Sequence, residues 1–182
     1  MPDLTSTSIS LEAFGKEDFE RLIGWIDSRD IHERWTGRYF SYPLNTKELE
    51  LYLEGSTKIP TERTVFRVKD TSQDKIVGHA EISHIWPGLS GRLSRILIGD
   101  ESLRGKGLGV AITKELLRYG FSNYGFDHMD LGVSVSNDFA KRCYKKAGFK
   151  IVGLWEDMFD TPENPFSIHW MSIQKSEFNP LV

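Results

Sequence analysis

A glycine-rich, basic loop constrains this chain more than any other segment. It reads Arg104-Gly105-Lys106-Gly107-Leu108-Gly109 and lies between an apolar segment and a long amphipathic one. The first N–H groups of a helix have no partner within the helix, and the helix dipole makes that end positive. Glycines allow an anion to approach the main chain, and Arg104 and Lys106 add positive charge. The loop therefore predicts a pyrophosphate site at a helix N-terminus.

Two common phosphate motifs do not fit this loop. A Walker loop has Gly-Lys followed by Ser or Thr to hold magnesium, whereas Lys106 is followed by Gly107. A dinucleotide fold has Gly-x-Gly-x-x-Gly early in a βαβ unit, whereas here Gly-x-Gly-x-Gly follows three predicted antiparallel strands. These comparisons argue against an NTP-binding loop and a dinucleotide-binding fold.

Composition limits the class of protein. The length of 182 residues predicts a single domain over residues 1–182, and the net charge of −3 gives no case for nucleic acid as a partner. Apolar runs are far shorter than a membrane span, and Met1–Ser10 has no signal-peptide pattern, so no membrane association is expected. The one cysteine, Cys143, and the absence of zinc-ligand spacing predict a cytoplasmic protein without metal.

Hydrophobic periodicity predicts an α/β fold with the order β α α β β β α β α β β. The predicted helices begin near Glu17, Asn45, Leu108 and Asn137, and the third is the long helix that follows the glycine-rich loop. The predicted strands are Ile9–Phe14, Thr64–Val68, Lys75–Trp86, Gly91–Gly99, Met129–Val135, Phe149–Phe159 and Phe166–Ile173.

The loop and the helix after it together resemble a known family. Arg-x-x-Gly-x-Gly precedes the long helix, and Asn137 is followed by Tyr144 seven positions on and then by Ala147-Gly148-Phe149. This combination resembles the GNAT N-acetyltransferase superfamily. Within that superfamily, the amino-acid sequence is most similar to bacterial members near the ribosomal-protein N-terminal acetyltransferases. The resemblance implies the acyl-CoA N-acyltransferase fold: a mixed, mainly antiparallel twisted sheet of about seven strands, splayed in the middle and flanked by about four helices.

The resemblance also implies the cofactor site and part of the chemistry. Acetyl-CoA, as co-substrate, would place its pyrophosphate on the main chain of Arg104, Gly105, Lys106, Gly107, Leu108 and Gly109, with Asn137 and Tyr144 nearby. Its pantetheine would pair with the preceding strand at Leu97, Ile98 and Gly99, and the N–H of Leu97 would stabilise the oxyanion. Tyr144 is the candidate general acid, because a phenol with a pKa near ~10 can protonate a departing thiolate.

The general base is a separate question. His79 and Glu81 alternate onto one face of the predicted strand Lys75–Trp86, and Glu81 is the first choice; His84 falls on the opposite face by parity. Where some relatives carry a carboxylate on the neighbouring strand, this chain has Arg92 and Ser94. A water relay is the alternative to a side-chain base.

The predicted reaction is N-acetylation of a primary amine. The acceptor is either a small molecule, such as a polyamine or aminoglycoside, or a protein N-terminus, and the resemblance implies a homodimer through the closing strands. Acceptor-binding candidates are the aromatic segment Trp35–Phe40 and the acidic residues Glu156, Asp157 and Asp160. The alternatives are a non-catalytic acyl-CoA sensor with the same fold and an unrelated phosphate-binding α/β domain.

Overall fold

The computed structural model describes residues 8–36, 39–156 and 167–179. It contains one seven-stranded sheet with the strand order β1-β2-β3-β4-β5-β7-β6. The strands are β1 (Ile9–Ala13), β2 (Arg63–Asp70), β3 (Lys75–Trp86), β4 (Ser90–Ile98), β5 (His128–Ser134), β6 (Lys150–Trp155) and β7 (Ile168–Gln174). The helices are α1 (Phe19–Trp25), α2 (Arg29–Thr36), α3 (Thr46–Thr57), α4 (Leu108–Tyr119) and α5 (Asp138–Lys146). The prediction of a mixed, mainly antiparallel α/β sheet is confirmed.

The sheet opens in its middle. Strand β4 pairs with β5 in parallel only where Ser90, Gly91 and Arg92 face residues 128–130, and every other neighbouring pair of strands is antiparallel. Beyond Arg92 the two strands diverge, so within the described part of the chain the second half of β4 has no paired strand on its β5 side. The main-chain polar groups along this edge can therefore bind a ligand.

Apolar packing on both faces fixes the position of this opening. Helix α4 packs on one face through Ile112, Leu116 and Leu117, all fully buried. Helices α1 and α3 pack on the other face through Leu22 and Leu49, which are also fully buried. Burying a Leu or Ile side chain contributes about 1.5–3 kcal/mol, so α4, whose core includes strands from both sides of the opening, holds the two halves of the sheet together.

Helix α2 was not expected from the sequence, which predicted about four helices rather than five. Ser28 caps it, because the N–H of Ile31 donates to the Ser28 hydroxyl at 3.3 Å. The helix buries Trp35, whose ring stacks on that of Phe40 at 5.6 Å, and only Tyr39 of the aromatic segment is about half exposed. The predicted binding loop at Trp35–Phe40 is thus largely core, and its Gly-Arg pair at 37–38 lies outside the described residues.

Two β-bulges interrupt the pairing of β3 with β4. On β4, Arg95 and Ile96 together lie opposite Ala80, and Arg95 has a φ of 48°. On β3, His84 and Ile85 together lie opposite Gly91, and His84 has a φ of 49°. Each bulge adds one residue to one strand, which inverts the alternation of faces beyond it.

Candidate active site

Two cavities meet where the sheet opens. We call the first, of about 820 Å³, the loop cavity, because it is bounded by the glycine-rich loop, the end of β4, and helices α1 and α5. We call the second, of about 730 Å³, the strand cavity, because it lies between residues 92–95 of β4 and the facing part of β5. Trp35, Asn137 and Phe139 line both cavities, so the two are contiguous.

The loop cavity brings together most of the predicted cofactor residues. The residues that line it include Leu97, Ile98, Gly99, Arg104, Gly109, Asn137 and Tyr144. Gly105, Lys106 and Gly107 are exposed in the loop between Arg104 and Gly109, whereas the Leu108 side chain is buried in the core. The sequence did not single out Trp25 and Thr113, which also line this cavity.

Positive backbone angles shape the glycine-rich loop. Gly105 and Gly107 have φ angles of 78° and 86°, a region that residues with a Cβ rarely adopt. Gly107 is the N-cap of α4 and accepts the first helical hydrogen bond from the N–H of Ala111 at 3.1 Å. The preceding N–H groups of α4 therefore have no partner within the helix. This end of α4 can hold an anion.

Arg104 connects the loop to the end of β4. Its guanidinium pairs with Glu101 at 2.6 Å and donates to the carbonyl of Ile98 at 3.3 Å. The second contact shows that this carbonyl points away from β3. Arg104 thus holds the loop against the open edge of β4.

The register corrects the expectation for the main chain of Leu97 and Gly99. The N–H of Gly99 donates to the carbonyl of Val77 on β3 at 3.0 Å, and Leu97 lies two residues earlier in the same register. Because every second residue of an antiparallel strand faces its partner, Leu97 and Gly99 both direct their N–H groups at β3. Ile98 lies between them, so its main-chain N–H and carbonyl groups face the gap between β4 and β5. The bulge at Arg95 causes this difference, since it shifts the alternation by one residue.

Tyr144 lies on α5 at the wall of the loop cavity. Its ring is half-buried and packs edge-on against Phe149 at 6.2 Å. Burial raises the pKa of its hydroxyl well above the usual value, so the phenol keeps its proton at neutral pH. Asn137 begins the same helix, and its side chain accepts the N–H of Ala140 at 3.0 Å. Asn137 therefore caps α5 and also lines both cavities.

Glu81 does not occupy the position expected of a base. Its side chain is fully buried and lines neither of the two cavities. One carboxylate oxygen accepts the Tyr52 hydroxyl at 2.6 Å and the Arg95 guanidinium, while Arg63 lies 4.0 Å from the other oxygen. Burial and the charge of Glu81 raise the pKa of Tyr52. This arrangement corrects the assignment of Glu81 as base: the carboxylate anchors Arg95 beneath the strand cavity.

His79 is also enclosed. Burial lowers its pKa to about 4, so the ring is neutral. Its Nδ1 lies 3.0 Å from the carbonyl of Arg95, and the indole N–H of Trp35 donates to the same carbonyl at 2.8 Å. Two side chains from different elements therefore hold the β4 bulge in place. Of the acidic acceptor candidates, Glu156 is exposed, and positions 157 and 160 lie outside the described residues.

The open sheet, the glycine-rich start of α4 and the two contiguous cavities together form an arrangement that could accommodate an extended anionic ligand. A model of the acetyltransferase (GNAT) family matches residues 29–149. The chain belongs to this family and is an N-acetyltransferase. The finer likeness to ribosomal-protein N-terminal acetyltransferases stays a prediction.

Solved structures share the fold over nearly the whole chain. One is the spermidine N-acetyltransferase from Vibrio cholerae in complex with CoA and spermine, with 22% identity, a TM-score of 0.79, and coverage of 96% of this chain and 98% of the other. Another is a dodecameric form of the same enzyme from Vibrio cholerae in an intermediate state, with 22% identity, a TM-score of 0.71, and coverage of 92% and 94%. At this identity the likeness establishes the fold.

The described residues contain neither a membrane-spanning helix nor a metal-binding cluster. Within residues 8–36, 39–156 and 167–179, no helix has the length and apolarity needed to cross a bilayer. Over the same ranges, no group of three or more His, Cys, Asp or Glu side chains is placed to hold a metal ion.

Proposed function

We propose that the protein transfers the acetyl group of acetyl-CoA to a primary amine of a small molecule. The observation that carries this proposal is the contiguity of the two cavities in the gap between β4 and β5. The loop cavity lies at the start of α4, and the strand cavity continues from it along residues 92–95 of β4. A cofactor in the loop cavity and an acceptor in the strand cavity would meet at Trp35, Asn137 and Phe139. Such positioning alone accounts for a large part of the rate of a bimolecular reaction.

In this proposal the main chain binds most of the cofactor. The N–H groups from Gly105 to Gly109, with Arg104 and Lys106, bind the pyrophosphate. The main chain of Ile98 pairs with the pantetheine as an added strand would. Recognition of this kind needs an open strand edge, which β4 has beyond Arg92.

The chemistry follows from the same geometry. The neutral amine attacks the thioester carbonyl, and the N–H of Ile98 stabilises the oxyanion that forms. The carbon–sulfur bond then breaks, the nitrogen releases its extra proton to solvent, and the phenol of Tyr144 donates its proton to the departing thiolate. The tyrosinate regains a proton from solvent, and the products are an N-acetylamine and CoA.

A polyamine is the first acceptor to test. Asp30 and Glu33 of α2 line the strand cavity and offer carboxylates to a cationic amine. Each forms an exposed ion pair within α2: Asp30 with Arg34 at 2.9 Å, and Glu33 with Arg29 at 3.7 Å. A polycation can displace such surface ion pairs at little cost. The enzymes of similar fold are spermidine N-acetyltransferases, which supports the same choice of acceptor.

The closing strands support a second copy of the chain as a partner. Strand β6 is at the edge of the sheet and exposes Ile151, Val152, Leu154 and Trp155, each between 42% and 65%. An exposed apolar edge strand pairs readily with another strand. We infer a homodimer through this edge. The single cysteine favours the cytoplasm as the location of the protein.

The acceptor is tested by following CoA release with spermidine, kanamycin and a short peptide with a free N-terminus. We expect acetyl transfer to spermidine, with mass spectrometry showing one added acetyl group, and little release with the other two. Transfer to the peptide instead would identify a protein N-terminus as acceptor. An absence of transfer to every amine, with acetyl-CoA bound, would favour the sensor alternative.

A further inference from the structure

A chain of hydroxyls leads from the strand cavity to the protein surface. Ser94 lines the strand cavity. Its hydroxyl lies 2.8 Å from that of Ser83 on the neighbouring strand, and Ser83 lies 3.0 Å from Nδ1 of His84. His84 is exposed to solvent. Both distances are those of ordinary hydrogen bonds, so the three side chains form a continuous path.

The β3 bulge creates this path. In a regular strand, His84 and Ser83 would point to opposite faces of the sheet. His84 instead has a φ of 49° where the register shifts, and its imidazole turns back to the hydroxyl of its neighbour. Histidine adopts this left-handed backbone more readily than most residues. The sequence-based prediction that His84 faces away from the site is therefore corrected by the local backbone.

We propose that Ser94, Ser83 and His84 form a relay that removes the proton of the cationic acceptor amine. The amine passes its proton to the Ser94 hydroxyl as Ser94 passes its own to Ser83 and Ser83 passes its own to Nδ1 of His84. The amine becomes neutral, both serines regain a hydroxyl, and His84 becomes an imidazolium that returns the proton to solvent. This inference rests on the proposed acetyl transfer to an amine.

The charges around His84 suit this role. Arg92 on β4, Asp130 on β5, Glu81 on β3 and Arg95 on β4 act on its ring. Burial of part of the ring, followed by the positive charge of Arg92, lowers the pKa of His84 below its ordinary value of 6.5. The imidazole is therefore neutral at neutral pH and can accept a proton. Arg92 itself is engaged by Asp130 on the neighbouring strand.

The other titratable groups near β3 are poorly placed for the same task. Glu81 is held by Tyr52 and Arg95 and lines neither cavity. The ring of His79 is fully buried with its Nδ1 at the carbonyl of Arg95. Ser94 alone of the relay lines the strand cavity, and it lies two residues before Ile96, which lines the loop cavity. The relay thus opens on the strand cavity, which is contiguous with the loop cavity.

The test is the pH dependence of kcat/KM for spermidine in Ser94→Ala, Ser83→Ala and His84→Gln. We expect each variant to lose about tenfold to hundredfold at pH 7, where the amine is charged, and to approach the native enzyme as pH rises toward the amine pKa near ~10. Because the three residues act in series, the double variant Ser94→Ala/His84→Gln should lose no more than either single variant. His84→Gln should also abolish the acid limb of the profile.

Ser94→Thr keeps the hydroxyl and should keep most of the activity, and Ser122→Ala, at an exposed serine beyond α4, is the matched control. Thermal unfolding with acetyl-CoA verifies that each variant folds and binds the cofactor. A loss that is equal at pH 7 and pH 10, or an unchanged profile in His84→Gln, would overturn the relay while leaving acetyl transfer intact. A native enzyme without any acetyl transfer would instead contradict the proposed function.

Discussion

Replacing Tyr144 with phenylalanine is expected to lower kcat for acetyl transfer by about 100-fold or more, the usual contribution of a general acid. The ring stays packed against Phe149, so the change removes the proton donor and little else. The affinity for acetyl-CoA should change by less than about threefold, because the main chain makes most of the proposed contacts. Steady-state CoA release measures kcat, and thermal unfolding with acetyl-CoA measures binding.

Tyr119→Phe is the matched control for this variant. Tyr119 is also half-buried, packs on the ring of Phe66 at 4.8 Å and lies outside both cavities. Its replacement should leave kcat unchanged. If Tyr144→Phe kept a kcat within twofold of the native value, Tyr144 would be a packing residue of α5, and another group would protonate the thiolate.

Replacing Glu81 with alanine is expected to reduce the free energy of unfolding by about 3–5 kcal/mol. The change leaves the nearly buried guanidinium of Arg95 without its carboxylate and removes the partner of the Tyr52 hydroxyl. For a chain of this size such a loss corresponds to a fall in Tm of roughly 10 °C. Urea unfolding followed by tryptophan fluorescence gives the free energy directly.

Glu115→Ala provides the comparison for an ion pair of the surface. Glu115 pairs with Arg118 one turn along α4, with both side chains partly exposed, so its loss should cost no more than about 1 kcal/mol. Glu81→Gln separates stability from catalysis. A normally stable Glu81→Gln with kcat reduced more than 100-fold would restore Glu81 as the base and contradict the anchoring role described for it.

The general order of the fold was readable from the sequence. Asn45 predicted the start of α3, and its side chain does accept the N–H of Glu48 at 3.1 Å. Alternating apolar residues predicted β5, and helical spacing with the glycines before it predicted α4. These features are local, so short-range rules of capping and periodicity suffice to locate them.

What the sequence could not predict depends on contacts between distant segments. The bulges at Arg95 and His84 arise in the pairing of β3 with β4, and they decide that Ile98 faces the gap and that His84 contacts Ser83. Helix α2 has only Ile31 and Trp35 as apolar residues, and its buried positions include the polar His32 and Thr36, so apolar spacing did not reveal it; the Ser28 cap was the one local signal. The burial of Glu81 likewise depends on partners far along the chain.

The glycine-rich loop offers a matched pair of variants for the cofactor site. Gly107 and Gly125 both have positive φ angles, of 86° and 66°, and open space around the position of a Cβ. Alanine at either position should cost about 1 kcal/mol of stability through backbone strain. Only Gly107→Ala should also weaken acetyl-CoA binding, because Gly107 is the N-cap of α4 within the glycine-rich loop, whereas Gly125 lies outside that loop.

The most direct test of the account is thermal unfolding with and without acetyl-CoA, with ATP and NAD as controls. At about 100 times its Kd, a ligand that binds the native state adds about 2.7 kcal/mol, which raises Tm by roughly 5–10 °C for a chain of this size. We expect this rise with acetyl-CoA alone, and a smaller one in Gly107→Ala. An unchanged Tm with saturating acetyl-CoA, together with a rise caused by ATP or NAD, would contradict the assignment of the loop cavity to acetyl-CoA.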